Sequence, residues 1–216
     1  MLTLYFSPGA CSRVTLIALN EVGAKFETHL VRFARGEHRS PEYLKLNPRG
    51  QVPTLVVDGQ PLSENVAILT WLDKKNPDAK LLPVPRDDWE AAEIMSKLVF
   101  FPSGLHPLVT RNMFPNFFCD QPEGAQRVKA IAQAAMADRL RLFEAHLARE
   151  RWIHGAEWSI LDGYFYWICF RLSTAGFDLK PFANVADHMQ RVLQRPSVQA
   201  ALRVDELASL EIERRL

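Results

Sequence analysis

The sequence predicts a two-part chain: a β-α-β-α-β-β-α unit over residues 1–76, a linker at 77–86 and an all-helical unit over 87–216. Three observations carry this. The apolar period changes from two to about 3.6 around Ala10, where a strand hands over to a helix. Asp58-Gly59 stands between two apolar runs, a strong short-range hairpin signal. Residues 77–86, PDAKLLPVPR, hold three prolines and little periodicity, and everything after them follows helical spacing.

In order, Leu2, Leu4 and Phe6 alternate with Thr3 and Tyr5 as a buried strand does, and Ser7-Pro8-Gly9 breaks it. Val14, Ile17, Ala18 and Val22 then fall on one helix face that stops at Gly23. Phe26–Val31 alternates as a second strand, which a helical crossover makes parallel to the first. Residues 32–40 read as a loop, and Ser40 before Pro41 opens a short helix. Asn47-Pro48-Arg49-Gly50 is a turn; Thr54–Val57 and Gln60–Leu62 form the hairpin. A helix from Ser63 to about Asn76 closes the unit.

In the second unit, Trp89, Ala92, Met95 and Val99 share a face, and Pro102 and Pro107 kink or end their helix. Asp120 with Glu123 reads as a capping-box start of a helix reaching Glu150. Ser159 and Asp162 read as a second capping box, before an almost wholly apolar helix from Gly163 to Ala175. Shorter helices follow at about 181–194 and 197–208.

Composition narrows the function. Hydrophobic residues make up 48% and charged residues 24% of the 216, and the formal net charge is +1. Residues 1–76 hold nine Lys and Arg against seven Asp and Glu, so no basic stripe points to nucleic acid. The longest apolar run, Tyr164–Phe170, is too short to span a bilayer, and the first strand at residue 2 leaves no room for a signal peptide. Cys11, Cys119 and Cys169 are odd in number and widely spaced, which points to a reducing, cytoplasmic setting. The six histidines show no metal-ligand spacing, so no metal is expected.

Cys11 and Ser12 are the chemistry-bearing pair. Both lie where a strand meets the first turn of a helix, and a thiol there has a lowered pKa. Ser12 offers a hydroxyl to an anion or thiolate. The alternative is structural: Cys11 as a small buried apolar residue, Ser12 as a helix cap.

The order of elements, together with YFSPGACSRVTLIAL, NPRGQVPTL, PLSENVAIL and WSILDGYF in register, resembles the soluble glutathione transferase family over essentially the whole chain. The resemblance implies a thioredoxin-like N-terminal domain with a mixed four-stranded sheet, an all-helical domain forming the hydrophobic co-substrate site, and a homodimer. SPGACS is most similar to the bacterial beta class, whose cysteine contacts the glutathione sulfur. Val52-Pro53 matches the family's Val-cis-Pro, and Val52 is expected to pair its backbone with the cysteinyl part of glutathione, as an added strand does. Glu64 and Asn65 match the segment holding the γ-glutamyl end, and Arg35, Arg49 and Gln51 are candidates for the remainder of the peptide. His106 matches the beta-class histidine. Phe6, Phe101, Leu105, Leu108, Met113 and Phe114 are expected to offer an apolar wall to a hydrophobic electrophile. Ser159 and Asp162 match the family's capping box and are assigned to folding.

The chain departs from the beta pattern in four places. Phe6 replaces a tyrosine, Pro107 a lysine, Val99 an asparagine lent by the second subunit, and Asn65 the family's usual serine. The function expected is glutathione transfer to an electrophile, or a mixed disulfide at Cys11, with glutathione as co-substrate. Ser12-Arg13-Val14 also resembles the zeta class, which leaves a glutathione-dependent isomerase as an alternative. A non-catalytic adaptor on the same fold, or a carrier of apolar ligands, are the others.

Overall fold

The structure is a computed structural model that describes residues 1–213. It divides into two compact units: residues 1–82 together with the chain from Gln194 onward, and Pro83–Leu193. The first is built on a four-stranded sheet, β1 (Leu2–Phe6), β2 (Phe26–Leu30), β3 (Thr54–Val57) and β4 (Gln60–Ser63), in the order β2-β1-β3-β4. β1 and β2 run parallel with Leu4 opposite Thr28; β3 runs antiparallel to β1 and to β4. Helix α1 (Ser12–Glu21) forms the crossover between β1 and β2, followed by α2 (Pro41–Leu46) and α3 (Asn65–Lys75). Leu4, Val14, Leu16, Ile17, Leu55, Ile68, Leu69 and Leu72 are buried in this unit. The alternation of β1 and the 3.6 period of α1 and α3 select these positions.

Two local signals act as expected. Ser40 caps α2, its hydroxyl accepting from the Tyr43 N–H at 3.2 Å with Pro41 at the first helical position. At the end of β1 the Ala10 N–H reaches the Ser7 carbonyl at 3.1 Å across Pro8 and Gly9. Gly9 has φ 69°, the positive angle a type II turn requires at its third position.

The second unit holds α4 (Asp88–Phe100), α5 (His106–Met113), α6 (Pro122–Leu147), α7 (Ile160–Thr174) and α8 (Ala183–Leu193). Helix α7 is buried almost all round, as its composition requires. Pro102 and Pro107 do not end a helix; residues Phe101–Leu105 widen into a π-turn that joins α4 to α5. The wider turn accommodates the missing N–H groups, and the Ser103 hydroxyl donates to the Val99 carbonyl at 2.8 Å. Gly104 lies under the Phe100 ring, where a Cβ would come within 2.4 Å.

Three expectations are corrected. Helix α6 begins at Pro122 with Gln121 as its cap, and no Asp120–Glu123 box starts it. Pro122 at the first helical position needs no N–H partner, so the side-chain cap is dispensable. The linker expected at 77–86 is partly structured: Pro77–Ala79 form a 3₁₀ turn, Leu81 is buried, and the Leu82 N–H donates to Asp73 at 2.9 Å. Finally, the last helix, α9 (Pro196–Glu213), is longer than 197–208 and groups with the sheet unit, so the expected 87–216 helical unit gives up its end. Ion pairs and a hydrogen bond hold it there: Arg195 pairs with Glu21, to which the Ser197 hydroxyl also donates, and Arg32 pairs with Glu211 at 2.5 Å. Residues 214–216 of the expected range lie outside the described residues.

Candidate active site

Cys11 occupies the N-cap position of α1 with helical backbone angles, φ −63° and ψ −11°. It is partly exposed, and its Sγ donates to the Val52 carbonyl at 3.3 Å. The Val52-Pro53 bond is cis, as the resemblance implied. Of the other cysteines, Cys169 is fully buried, which pushes its thiol well above the ordinary range and removes it from chemistry. Cys119 packs its Sγ over Gly124, whose absent Cβ would meet it at 2.3 Å.

Ser12 is placed otherwise than expected. It is fully buried; its hydroxyl donates to the Ser7 carbonyl at 3.2 Å and accepts the Ser7 N–H at 3.2 Å. A hydroxyl so engaged braces the turn. The residue type that signals an activating hydroxyl is the same one that closes a buried turn.

The loop before Pro53 is held from behind. Tyr43 donates its hydroxyl to the Gln51 carbonyl at 2.6 Å and meets the Thr54 hydroxyl at 3.0 Å. Burial pushes the Tyr43 phenol up, which keeps it a donor. Asn47 donates to the same carbonyl at 2.8 Å and to Thr54 at 3.1 Å. Neither residue was singled out as part of the site in the sequence. The signal was present only as NPRG, read as a turn. The Gln51 side chain is exposed, while Val52 packs with Val31 and Tyr43.

At the end of β4, Glu64 has φ 74°, an uncommon angle for a residue with a Cβ, and such angles gather at ligand sites. Its carboxylate is half exposed and lies 3.4 Å from Arg49, whose guanidinium also donates to Ser63 at 2.5 Å. Arg35 is exposed on a 3₁₀ turn after β2. Asn65 is corrected. Its side chain is buried and bonded within the protein: Oδ1 accepts from Thr15 at 2.8 Å and Nδ2 donates to the Cys11 carbonyl at 3.1 Å. It ties α3 to the Cys11 turn.

In the helical unit, His106 starts α5 with its ring edge-on to Trp167 at 4.6 Å. Burial, reinforced by the Arg171 charge, pushes it down to about 4, so at pH 7 it is neutral. Among the expected wall residues, Leu108 and Met113 are partly exposed and Phe114 is exposed, stacked on Phe117 at 5.2 Å. Phe6, Phe101 and Leu105 are buried core; Phe101 stacks on Tyr164 at 5.0 Å. These three shape the surroundings without presenting a surface, because strand alternation and helix spacing point them inward. Ser159 and Asp162 form the capping box, the Ser159 N–H donating to Asp162 at 3.0 Å. Among the described residues no group of His, Cys, Asp and Glu is arranged to hold a metal, and no helix is long and apolar enough to cross a membrane.

A mixed four-stranded sheet with a helical crossover and a cis-proline loop, followed by a helical unit, defines a thioredoxin-like fold with a helical extension. The family model for the glutathione S-transferase N-terminal domain matches residues 8–75, and that for the C-terminal domain matches residues 109–204. The chain is 31% identical over 206 residues to glutathione S-transferase GstA of Escherichia coli O157:H7, covering 94% of this chain and 98% of the relative. Among solved structures it is similar to a sphingomonad glutathione S-transferase complexed with glutathione, at 31% identity and TM-score 0.82, covering 95% of this chain and 99% of that one. A bacterial beta class glutathione S-transferase of Sphingomonas chungbukensis matches at 31% identity and TM-score 0.82, over 94% and 98% of the two chains. The chain belongs to the glutathione S-transferase family.

Proposed function

We propose that this transferase is beta-like, with Cys11 and not Ser12 as the residue that meets the glutathione sulfur. The observation that carries the reading is the pair of positions at the β1–α1 turn: Cys11 Sγ is partly exposed at 3.3 Å from the Val52 carbonyl, while the Ser12 hydroxyl is buried against Ser7. A peptide paired with Val52 as an added strand brings its cysteinyl residue alongside Cys11. Glu64 accepts from the ligand ammonium, and the first-turn N–H groups of α3 receive the adjoining carboxylate. Arg35, Arg49 and Gln51 are the candidates for the far end. Because Asn65 is engaged elsewhere, the γ-glutamyl carboxylate relies on backbone donors more than the family pattern implies.

Two reactions fit. Bound glutathione thiolate attacks an electrophilic carbon of a hydrophobic co-substrate and forms a thioether as the leaving group departs with its electron pair. Alternatively, the Cys11 thiolate attacks glutathione disulfide: a Cys11–glutathione disulfide forms, the original S–S bond breaks, and glutathione thiolate leaves. A second glutathione thiolate then releases Cys11. The buried Ser12 and the ion-paired Arg13 support this reading over the zeta-like alternative. His106, neutral at pH 7, serves as a hydrogen-bonding group and supplies no charge. A homodimer belongs to the same proposal; the exposed Met95 and Val99 of α4 are apolar surface for a second copy to cover. So does a cytoplasmic setting, read from the cysteine spacing.

The test is glutathione titration by calorimetry, with intact-mass measurement after exposure to glutathione disulfide, in wild type and Cys11→Ala. Saturable binding in both, with an adduct only in wild type, is the expected result. Binding without any adduct returns the site to Ser12 and conjugation. Absence of binding in both overturns the glutathione reading and favours an adaptor.

A further inference from the structure

The turn that carries Cys11 is gripped by a residue far away in sequence. Asp205 lies on α9, is buried, and uses one oxygen for two bonds: Oδ2 accepts from the Gly9 N–H at 3.1 Å and from Arg13 Nε at 2.5 Å. Gly9 and Arg13 stand two residues either side of Cys11. The other oxygen, Oδ1, is buried and meets no donor among the described residues. A buried ion pair is weak evidence of net stabilisation, because desolvation offsets the attraction. Convergence of two donors on one oxygen instead fixes where the segment between them lies. Helix α9 is also tied to α1 at its other end, where Glu21 binds Arg195 and Ser197, but that tie is remote from the turn.

We propose that Asp205 is a positioning residue: by holding Gly9 and Arg13 together it sets the Cys11 turn so that Sγ faces the Val52 carbonyl. The proposal rests on Cys11 being the reactive thiol. Its geometry separates position from charge. Asp205→Asn keeps an oxygen where both donors point and puts its amide where Oδ1 met no donor. Asp205→Glu keeps the charge but pushes the oxygen outward by one methylene.

The experiment measures Cys11 alkylation by iodoacetamide, read by mass spectrometry of the peptide bearing Cys11, between about pH 6 and about pH 9. Wild type, Asp205→Asn, Asp205→Glu and Glu21→Gln are compared, each checked for folding by near-UV circular dichroism. Asp205→Asn is expected to stay within about threefold of wild type, and Asp205→Glu to fall about tenfold, with its pH midpoint moved up as the thiol leaves the helix N-terminus. Glu21→Gln, which loosens the remote tie, leaves the Cys11 rate unchanged. Where Asp205→Glu does not fold, Asp205→Ser, with no oxygen in reach of either donor, takes its place with the same expectation. The proposal is overturned if the displaced-oxygen variant alkylates like wild type, if Asp205→Asn slows more than Asp205→Glu, or if Glu21→Gln slows Cys11 equally. Failure of the Cys11 reading shows separately, as glutathione binding without an adduct in wild type or as adducts that persist in Cys11→Ala.

Discussion

Acid should weaken the helical unit through His106, and the size of the effect follows from its setting. Burial, with the Arg171 charge second, lowers this imidazole from 6.5 to about 4. Above pH 6.5 it is neutral in both folded and unfolded chains and contributes no pH dependence. Between 6.5 and 4 the unfolded chain takes up a proton that the folded one refuses, so stability present above 6.5 is lost as pH falls. At about 1.36 kcal/mol per pH unit, the loss is about 2 kcal/mol by pH 5 and about 3 kcal/mol once pH falls below 4. Carboxylates also titrate in acid, so the quantity to measure is a difference between variants. His106→Phe keeps an aromatic ring against Trp167 and cannot titrate. Urea unfolding by tryptophan fluorescence at one fixed protein concentration, at pH 7 and pH 5, gives the difference at each pH. The Phe variant should gain about 2 kcal/mol on wild type between them. A gap constant to about 0.5 kcal/mol would falsify the reasoning, since it would mean the folded ring takes up its proton as readily as the unfolded one.

Other predictions rest on single contacts. Tyr43→Phe removes one of two donors to the Gln51 carbonyl; it should cost about 1 kcal/mol in thermal unfolding and raise the glutathione Kd by calorimetry, with little change in the rate at saturation. Ser159→Ala should cost about 1 kcal/mol, the value of a helix cap. Asp162→Ala should cost about 3 kcal/mol or more by urea unfolding, because Asp162 also accepts from the Ile153 N–H at 2.8 Å and meets His188 Nε2 at 2.8 Å, all fully buried. Gly104→Ala should destabilise by about 1–3 kcal/mol, since the new methyl meets the Phe100 ring.

The fold was legible because its signals are local. Period two in Leu2–Phe6, the Ser40-Pro41 start, Asp58-Gly59 and the Ser159–Asp162 box each act within a few residues, and each sits where its spacing put it. The errors fall where a local signal competes with a stronger constraint. Pro102 and Pro107 read equally as a kink or an end, and the structure decides between them: Pro102 lies in the π-turn and Pro107 in the first turn of α5. Asp120 and Glu123 fit a capping box, yet Pro122 between them makes a better first helical residue. Helix α9 was read as part of the helical unit because ion pairs from Glu21 and Arg32 to Arg195 and Glu211 span more than 170 residues and leave no local pattern.

Asn65 shows why site residues were harder to read than elements. An exposed serine after Glu64 could turn its hydroxyl to a ligand; the longer amide carries its donor and acceptor one bond further out, and burial obliges both to find partners. Thr15 supplies one partner and the Cys11 carbonyl the other. The substitution therefore does not exchange one ligand donor for another. The amide braces the turn bearing the thiol. Asn65→Ser separates these roles. If Asn65 braces the turn, Asn65→Ser leaves glutathione binding intact while Cys11 alkylation slows, and Thr15→Val, which removes the other half of the contact, slows it similarly. A matched loss of glutathione affinity in Asn65→Ser, without change at Cys11, would return Asn65 to the ligand.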